Sequence, residues 1–116
     1  MNVFDNYRSF VSALPMCDRY EPGDLLVPDL LMASEGELRM FYAPFDWVNE
    51  SARLIILGIT PGWTQMEVAC RTARVLSEGR ATDEVCRIAK QQASFTGLMR
   101  SNLVRMLDAL EVPSLL

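Results

Sequence analysis

Histidine is absent from this sequence, and cysteine is sparse. Ser-His-Asp and Cys-His mechanisms need an imidazole base, so neither can operate with residues of this chain alone. Cys17, Cys70 and Cys86 form no Cys-x-x-Cys pair, which excludes the usual zinc spacings as well. We therefore expect no metal and no cofactor, and we interpret the cysteines as small buried side chains in a reducing compartment.

Long apolar segments are also missing. The longest apolar run, from Leu54 to Ile59, is far shorter than the roughly 20 residues of a membrane-spanning helix. Residues 1–5 lack the basic region and the apolar block of a secretory signal. These absences predict a protein with no membrane contact and, by default, a cytoplasmic location.

Positive charge is scarce. The net charge of −4 comes from 11 basic and 15 acidic residues, and Lys90 is the only lysine. This balance excludes the whole-molecule basic field that is typical of many nucleic-acid-binding proteins. Arg71 and Arg74 are candidates for local phosphate contacts, although a solvated surface position is the simpler interpretation of both.

The remaining composition is that of an ordinary globular domain, with 50 % hydrophobic and 22 % charged residues. The length of 116 residues predicts one domain, residues 1–116. Apolar periodicity and turn residues predict the order of the elements. These are a helix over 4–14, a helical turn over 28–33, strands over 37–43 and 53–57, and helices over 64–77, 82–92 and 99–110.

The segment Leu54–Leu57 is a continuous apolar run, typical of a strand buried between two layers of helices. Together with the element order, it predicts an α/β fold with a small, mainly parallel sheet and flanking helices. A buried parallel strand needs neighbours on both sides, and the last helix leads toward a strand that does not follow. The domain is therefore expected to be truncated on its C-terminal side.

A Gly-x-x-Pro-Gly turn, Gly58 to Gly62, directly follows this predicted strand. In open α/β sheets, ligands bind at the carboxyl ends of strands, where glycines allow close approach and the next helix N-terminus favours anions. The turn is neither a Walker loop nor a dinucleotide-binding fingerprint. A plain connection between a strand and a helix is the alternative interpretation.

Two stretches carry a resemblance to a known family. The stretch from Arg53 to Gln65, Arg-Leu-Ile-Ile-Leu-Gly-Ile-Thr-Pro-Gly-Trp-Thr-Gln, resembles the first motif of the uracil-DNA glycosylase superfamily. The stretch from Ser94 to Val112 is similar to the small-residue turn and helix that precede the next central strand of those enzymes. The two stretches occur in the family's order, and the resemblance covers roughly residues 37–113.

The resemblance implies a partial three-layer αβα sandwich that excises uracil or a related damaged base by hydrolysing the N-glycosidic bond. The DNA partner would be single-stranded or mismatched, because a base is most easily turned out of the stack there. The resemblance assigns the positioning of water to Thr60 and the stacking ring to Phe95. It assigns the rest of the pocket to Gly58, Ile59, Pro61, Gly62 and Trp63. Core packing is the alternative role for Phe95 and Trp63.

Three departures from the family pattern predict weak activity, or none, in this chain. Thr60 stands where many members have aspartate or asparagine, and Ile59 stands where another branch has glutamate. A threonine hydroxyl can orient a water molecule, but its pKa is unsuited to a general base. The family's histidine motif is absent, and its base-reading asparagine would fall after Val112.

The other carboxylates are poor substitutes for the missing base. Asp46 and Glu50 precede the predicted strand and lie toward its amino end. Glu67 is nearer the loop because it lies on the following helix, but an exposed helix carboxylate is its simpler interpretation.

A second hypothesis is a non-catalytic interaction module. An unfinished sheet exposes an edge strand that recruits a partner. A homo-oligomer, or a second chain, would then complete the sheet along 37–43 or 54–57. A third hypothesis is an unrelated α/β domain that binds a phosphorylated small molecule at Gly58–Gly62.

Overall fold

The computed structural model describes residues 2–116, so residue 1 of the predicted domain lies outside the described part. Residues 2–116 form five α-helices, one β-hairpin and three short 3-10 turns. The helices are α1 (Arg8–Ala13), α2 (Pro22–Leu25), α3 (Trp63–Leu76), α4 (Thr82–Ala93) and α5 (Leu98–Ala109). The strands are β1 (Leu31–Glu35) and β2 (Leu38–Phe41). The 3-10 turns are Val3–Asn6, Pro28–Leu30 and Val112–Leu115.

The three longest helices confirm the predictions from apolar spacing over 64–77, 82–92 and 99–110. The single helix predicted over 4–14 is wrong, because a 3-10 turn and α1 meet at Tyr7. Tyr7 has dihedral angles, φ −113° and ψ −5°, that depart from those of a regular α-helix, and its ring stacks on Tyr42 with centroids 4.2 Å apart. No helix within residues 2–116 has both the length and the apolar character needed to cross a bilayer.

The core lies between α3 and α4, and small side chains allow these two helices to approach closely. The larger buried side chains come from the N-terminal part of the chain, among them Phe4, Tyr20, Leu25 and Leu30. The fully buried positions of α3 and α4 are Ala69, Cys70, Ala73, Val85, Cys86, Ala89 and Ala93. The interpretation of the cysteines as buried residues is confirmed for Cys70 and Cys86 but wrong for Cys17, which is exposed.

The predicted αβα sandwich with a mainly parallel sheet is wrong. The sheet found within residues 2–116 is a two-stranded antiparallel hairpin of β1 and β2. The strand predicted over 37–43 is confirmed as β2. The helical turn predicted over 28–33 is confirmed only for the 3-10 turn Pro28–Leu30, because the partner strand β1 begins at Leu31. A hairpin forms here because Gly36, at φ 59°, adopts the left-handed conformation that the tight turn requires.

The predicted strand over 53–57 is also wrong, because no segment within residues 2–116 pairs with it as a strand. Burial nevertheless alternates along the segment. Leu54 and Ile56 are 41 % and 42 % exposed, whereas Ile55, Leu57 and Ile59 are 80 %, 92 % and 102 % exposed. A continuous apolar run indicates cover on both faces, but within residues 2–116 neither face of this segment is buried.

Helix α5 lies apart from the core, since none of its residues is buried. Its attachment to α4 comes largely from Arg100. The Arg100 guanidinium donates to the carbonyl oxygens of Gln91 at 2.9 Å, Gln92 at 3.1 Å and Ser94 at 3.1 Å. These carbonyls belong to the last turn of α4 and the residue after it, so Arg100 satisfies acceptors that the helix end leaves free.

Candidate functional site

The candidate site is a cavity of about 510 Å³, in the size range of small-molecule pockets. The loop before α3, the start of α3, the end of α4 and the turn into α5 surround it. Its lining residues are Phe45, Ile56, Gly58, Ile59, Thr60, Pro61, Gly62, Gln65, Lys90, Ser94, Phe95 and Met99. Both stretches that resemble the glycosylase superfamily therefore border one space, although they are far apart in the sequence.

The Gly58–Gly62 loop ends at the N-terminus of α3, where Gly62 is the N-cap residue. The backbone N–H of Gly62 donates to Oε1 of Gln65 at 3.0 Å, which fixes the loop against the first turn of the helix. A Cβ atom on residue 62 would approach the same Oε1 to 3.0 Å, tighter than an ordinary contact. A side chain here would therefore displace Gln65.

Thr60 lies at the exposed mouth of the cavity. Its hydroxyl donates to the carbonyl oxygen of Pro61 at 3.3 Å, a long hydrogen bond that a solvent molecule can replace. The hydroxyl oxygen also keeps its acceptor lone pairs. The hydroxyl can therefore form a hydrogen bond with a water molecule, but no carboxylate is found among the described residues that line the cavity.

Phe95 lines the same cavity from the turn between α4 and α5. Its φ of 54° is in the left-handed region, which is a genuine outlier for a bulky aromatic residue. Gly97 follows at φ 85°, and Arg100 holds the carbonyl of Ser94 on the other side. The half-buried ring is therefore held against the cavity by a strained backbone, and such strain clusters at functional sites.

Trp63 does not line the cavity. It is the first residue of α3 and packs, partly buried, against the hydrophobic core. The other predicted pocket residues, Gly58 to Gly62 and Phe95, all line it.

Sequence analysis missed the remaining lining residues Phe45, Ile56, Gln65, Lys90, Ser94 and Met99. Gln65 ends the first motif and Ser94 begins the second, so their positions in the two motifs could have identified them as lining residues. Lys90 is the charged residue of the described lining, and its ammonium group donates to the carbonyl oxygen of Trp47 at 2.6 Å. No group of three or more potential metal ligands gathers within residues 2–116.

Glu67 is not an exposed carboxylate, so the simpler interpretation of this residue is wrong. It is 4 % exposed and accepts two hydrogen bonds from Arg71, at 2.8 and 3.0 Å. The backbone N–H of Tyr20 donates to it as well, at 3.3 Å. Burial alone would raise the pKa of Glu67, but these hydrogen bonds hold that pKa below its usual value. Glu67 is a structural anion rather than a base at the cavity.

The two arginines of α3 are occupied by structural contacts. Arg71 pairs with Glu67, and Arg74 donates through Nε to the carbonyl oxygen of Leu14. The side chain of Arg74 is only 15 % exposed, so its interpretation as a solvated surface residue is wrong. Neither arginine lines the cavity.

Asp46 and Glu50 lie away from the candidate cavity, as expected from their positions in the sequence. Both border a separate depression with Asp83. Burial raises the pKa of Asp46, although the Tyr42 hydroxyl donates to Oδ2 at 3.2 Å and opposes the shift.

The chain is similar to a Bacillus subtilis (strain 168) protein named "Uncharacterized protein YoxB". The two are 39 % identical over 92 residues, which is 78 % of this chain and 36 % of the Bacillus protein. The chain thus spans about a third of that relative's length. A match of this extent includes the middle of the chain, so the first motif lies within it. No family model and no solved structure matches the chain.

Proposed function

We propose that the cavity receives a nucleobase turned out of a DNA strand. The chain would then carry part of the site of a protein, similar to uracil-DNA glycosylases, that hydrolyses the N-glycosidic bond of uracil or a related damaged base. The observation that supports this is the meeting of the Gly58–Gly62 loop and Phe95 around one cavity. The two stretches border one cavity although the predicted parallel sheet is wrong.

The chemistry of the lining suits a flat, polar-edged ring. Phe45, Phe95 and Met99 provide apolar and aromatic surface on which a base can stack. The side chains of Gln65 and Ser94 supply donors and acceptors for the polar edge of the base. Single-stranded or mismatched DNA is the favoured substrate, because turning a base out of an intact duplex costs a few kcal/mol.

Catalysis by this chain alone would be weak or absent. Thr60 can place a water molecule beside the sugar, but its hydroxyl does not titrate near neutral pH and cannot act as a general base. The excision consumes only water and needs no redox cofactor. We place the activity in the cytoplasm, as part of DNA repair.

The experiment is release of free uracil from single-stranded DNA containing one deoxyuridine, with a thymine-containing strand as reference. The chain and the full-length Bacillus relative are assayed together, and binding of both strands is measured by fluorescence anisotropy. We expect preferential binding of the uracil strand and, in the chain, release that is slow or undetectable.

Gly62→Trp fills the mouth of the cavity, and Gly23→Trp is the control because Gly23 lies in open space away from it. We expect Gly62→Trp to abolish the preference for uracil and Gly23→Trp to retain it. Equal affinity of both wild-type proteins for the two strands would contradict base recognition. Rapid release by the 116-residue chain would contradict its expected weakness.

A second candidate is an interaction module that forms an oligomer through a sheet edge. The observation that favours it is the exposed hairpin, in which Leu38 is 77 % and Met40 is 55 % exposed. Pairing of two hairpins would bury these side chains and the free backbone groups of the edge. A concentration-dependent dimer in sedimentation, lost in Leu38→Lys, would support this function, whereas a monomer at all concentrations would contradict it.

A further inference from the structure

Side-chain exposure along the segment 54–59 alternates as it does along a strand. Its even positions, Leu54 and Ile56, are only about half as exposed as the odd positions, at 41 % and 42 %, and Ile56 lines the cavity. Its odd positions, Ile55, Leu57 and Ile59, are 80 % or more exposed. An alternation of period two is the signature of β-structure, and large apolar side chains exposed in series mark an interaction surface.

The backbone groups of residues 54–59 also lack hydrogen-bond partners within the described part of the chain. No hydrogen bond among residues 2–116 joins the N–H or C=O groups of 54–59 to another segment. Such a row of unpaired donors and acceptors is a template for an added strand. The best-fitting occupant is therefore an extended polypeptide with apolar side chains at alternate positions, rather than a helix or a polar ligand.

The source of that polypeptide is indicated by the Bacillus relative. Its match with this chain includes 54–59, yet almost two thirds of its length lies outside the match. We propose that residues 54–59 pair with a β-strand supplied by polypeptide of the kind that the Bacillus protein carries beyond the matched region. The added strand and the segments attached to it cover Ile55, Leu57 and Ile59.

Ile56, Gly58 and Ile59 also line the cavity, but the pairing is measured by amide protection and base excision by uracil release, so the two proposals are tested separately. Protected amides at 54–59 without uracil release would support the strand pairing and contradict the glycosylase function. Uracil release with rapidly exchanging amides would support the glycosylase function and contradict the pairing.

Hydrogen exchange measured by mass spectrometry tests the pairing directly. The probes are the backbone amides of 54–59 in this chain and of the aligned segment in the full-length Bacillus protein. We expect these amides to exchange within seconds in the chain and at least 100-fold more slowly in the Bacillus protein. Rapid exchange in both proteins would overturn the proposal. Slow exchange in the chain, with a dimer in sedimentation, would make a second copy the occupant and overturn it too.

Variants provide a second readout. Leu57→Asp places a charge on the more exposed side of the segment, and Val48→Asp is the control, because Val48 has a comparable exposure of 74 % and belongs to neither proposed interface. Both are expected to leave the melting temperature of the 116-residue chain unchanged. At the aligned position of the Bacillus protein, the first change is expected to lower the melting temperature by at least about 5 °C, and the control by less than about 2 °C. Equal tolerance of both changes in the Bacillus protein would contradict the proposal.

Discussion

Glu67 and Arg71, one turn apart on α3, are joined by two hydrogen bonds, from Nε at 2.8 Å and from Nη2 at 3.0 Å. The carboxylate is buried, whereas the side chain of Arg71 is 37 % exposed. The pair therefore brings a charge into the interior while keeping the cation in contact with water. Its second function is to hold the backbone of Tyr20, and with it the segment before α2, against α3.

Glu67→Gln tests the contribution of this pair to stability. The amide leaves Arg71 without its charged partner, so we expect a loss of about 1–3 kcal/mol in urea unfolding at pH 7. The folded-state pKa of Glu67 is lower than the unfolded value, so its stabilisation is complete above about pH 4.5 and is lost as the pH falls through the folded-state pKa. The difference between variant and wild type should therefore shrink below pH 4.

Glu78→Gln is the matched control. The side chain of Glu78 is 82 % exposed, and its ion pair with Arg74 is 3.9 Å long. We expect a change within about 0.5 kcal/mol at every pH. Equal losses in the two variants would show that the hydrogen bonds of Glu67 contribute little.

The three thiols should differ sharply in reactivity. Burial raises the pKa of Cys70 to about 12 and the pKa of Cys86 to about 11, whereas Cys17 is exposed. Because the thiolate is the reactive form, we expect one thiol to react with a disulfide reagent in the native protein at pH 8, and all three in denaturant. Cys17→Ser should abolish the reaction of the native protein. A thiol that still reacts rapidly in this variant would contradict the burial of Cys70 and Cys86.

The strained backbone of Phe95 predicts an unusual order of stability. Phe95→Gly and Phe95→Ala both remove the ring, but only glycine adopts a φ of 54° without a steric cost. We expect the glycine variant to be more stable than the alanine variant by about 1 kcal/mol. At Thr96, which is not among the positive-φ residues, alanine should be at least as stable as glycine. If glycine were more stable than alanine by the same amount at both positions, the strain at Phe95 would be contradicted.

Asp46→Asn should change the pH dependence in the opposite sense to Glu67→Gln. Burial raises the folded-state pKa of Asp46, so its contribution is complete below the unfolded value of about 3.8 and is lost as the pH rises through the folded-state pKa. Asparagine stays neutral and can still accept from the Tyr42 hydroxyl. We expect Asp46→Asn to melt no lower than wild type at pH 7, with Asp108→Asn in exposed α5 as the control. A lower melting temperature confined to Asp46→Asn would contradict this expectation.

Local periodicity predicts α3 and α4 well because these two helices bury their apolar faces against each other. The prediction of a strand over 53–57 fails because an apolar run indicates that a segment tends to be buried. It does not show that a neighbouring strand or helix is present to bury it. The hairpin was missed for a different reason. Pro28 indicates a turn, and the residues of β1 show no alternation, so the pairing is determined by the Gly36 turn and by β2.

Sequence motifs predicted residues of the candidate site that lie within those motifs, but not the other residues that line the cavity. The Gly58–Gly62 loop and Phe95 were identified from their own stretches, and the structure adds that they share a cavity. Glu67 was misinterpreted because a charged residue on a helix is usually solvated. The arginine four residues later, at Arg71, was the signal of a partner that allows burial.

The bare segment 54–59 has a consequence for the behaviour of the polypeptide at high concentration. It combines high β-propensity with no charge and an unpaired backbone, which is the composition of segments that nucleate cross-β aggregates. Arg53 and Pro61 flank it, one as a charge and the other as a residue that cannot extend a ladder of hydrogen bonds. We expect these two residues to act as gatekeepers that limit fibril formation while the segment is uncovered.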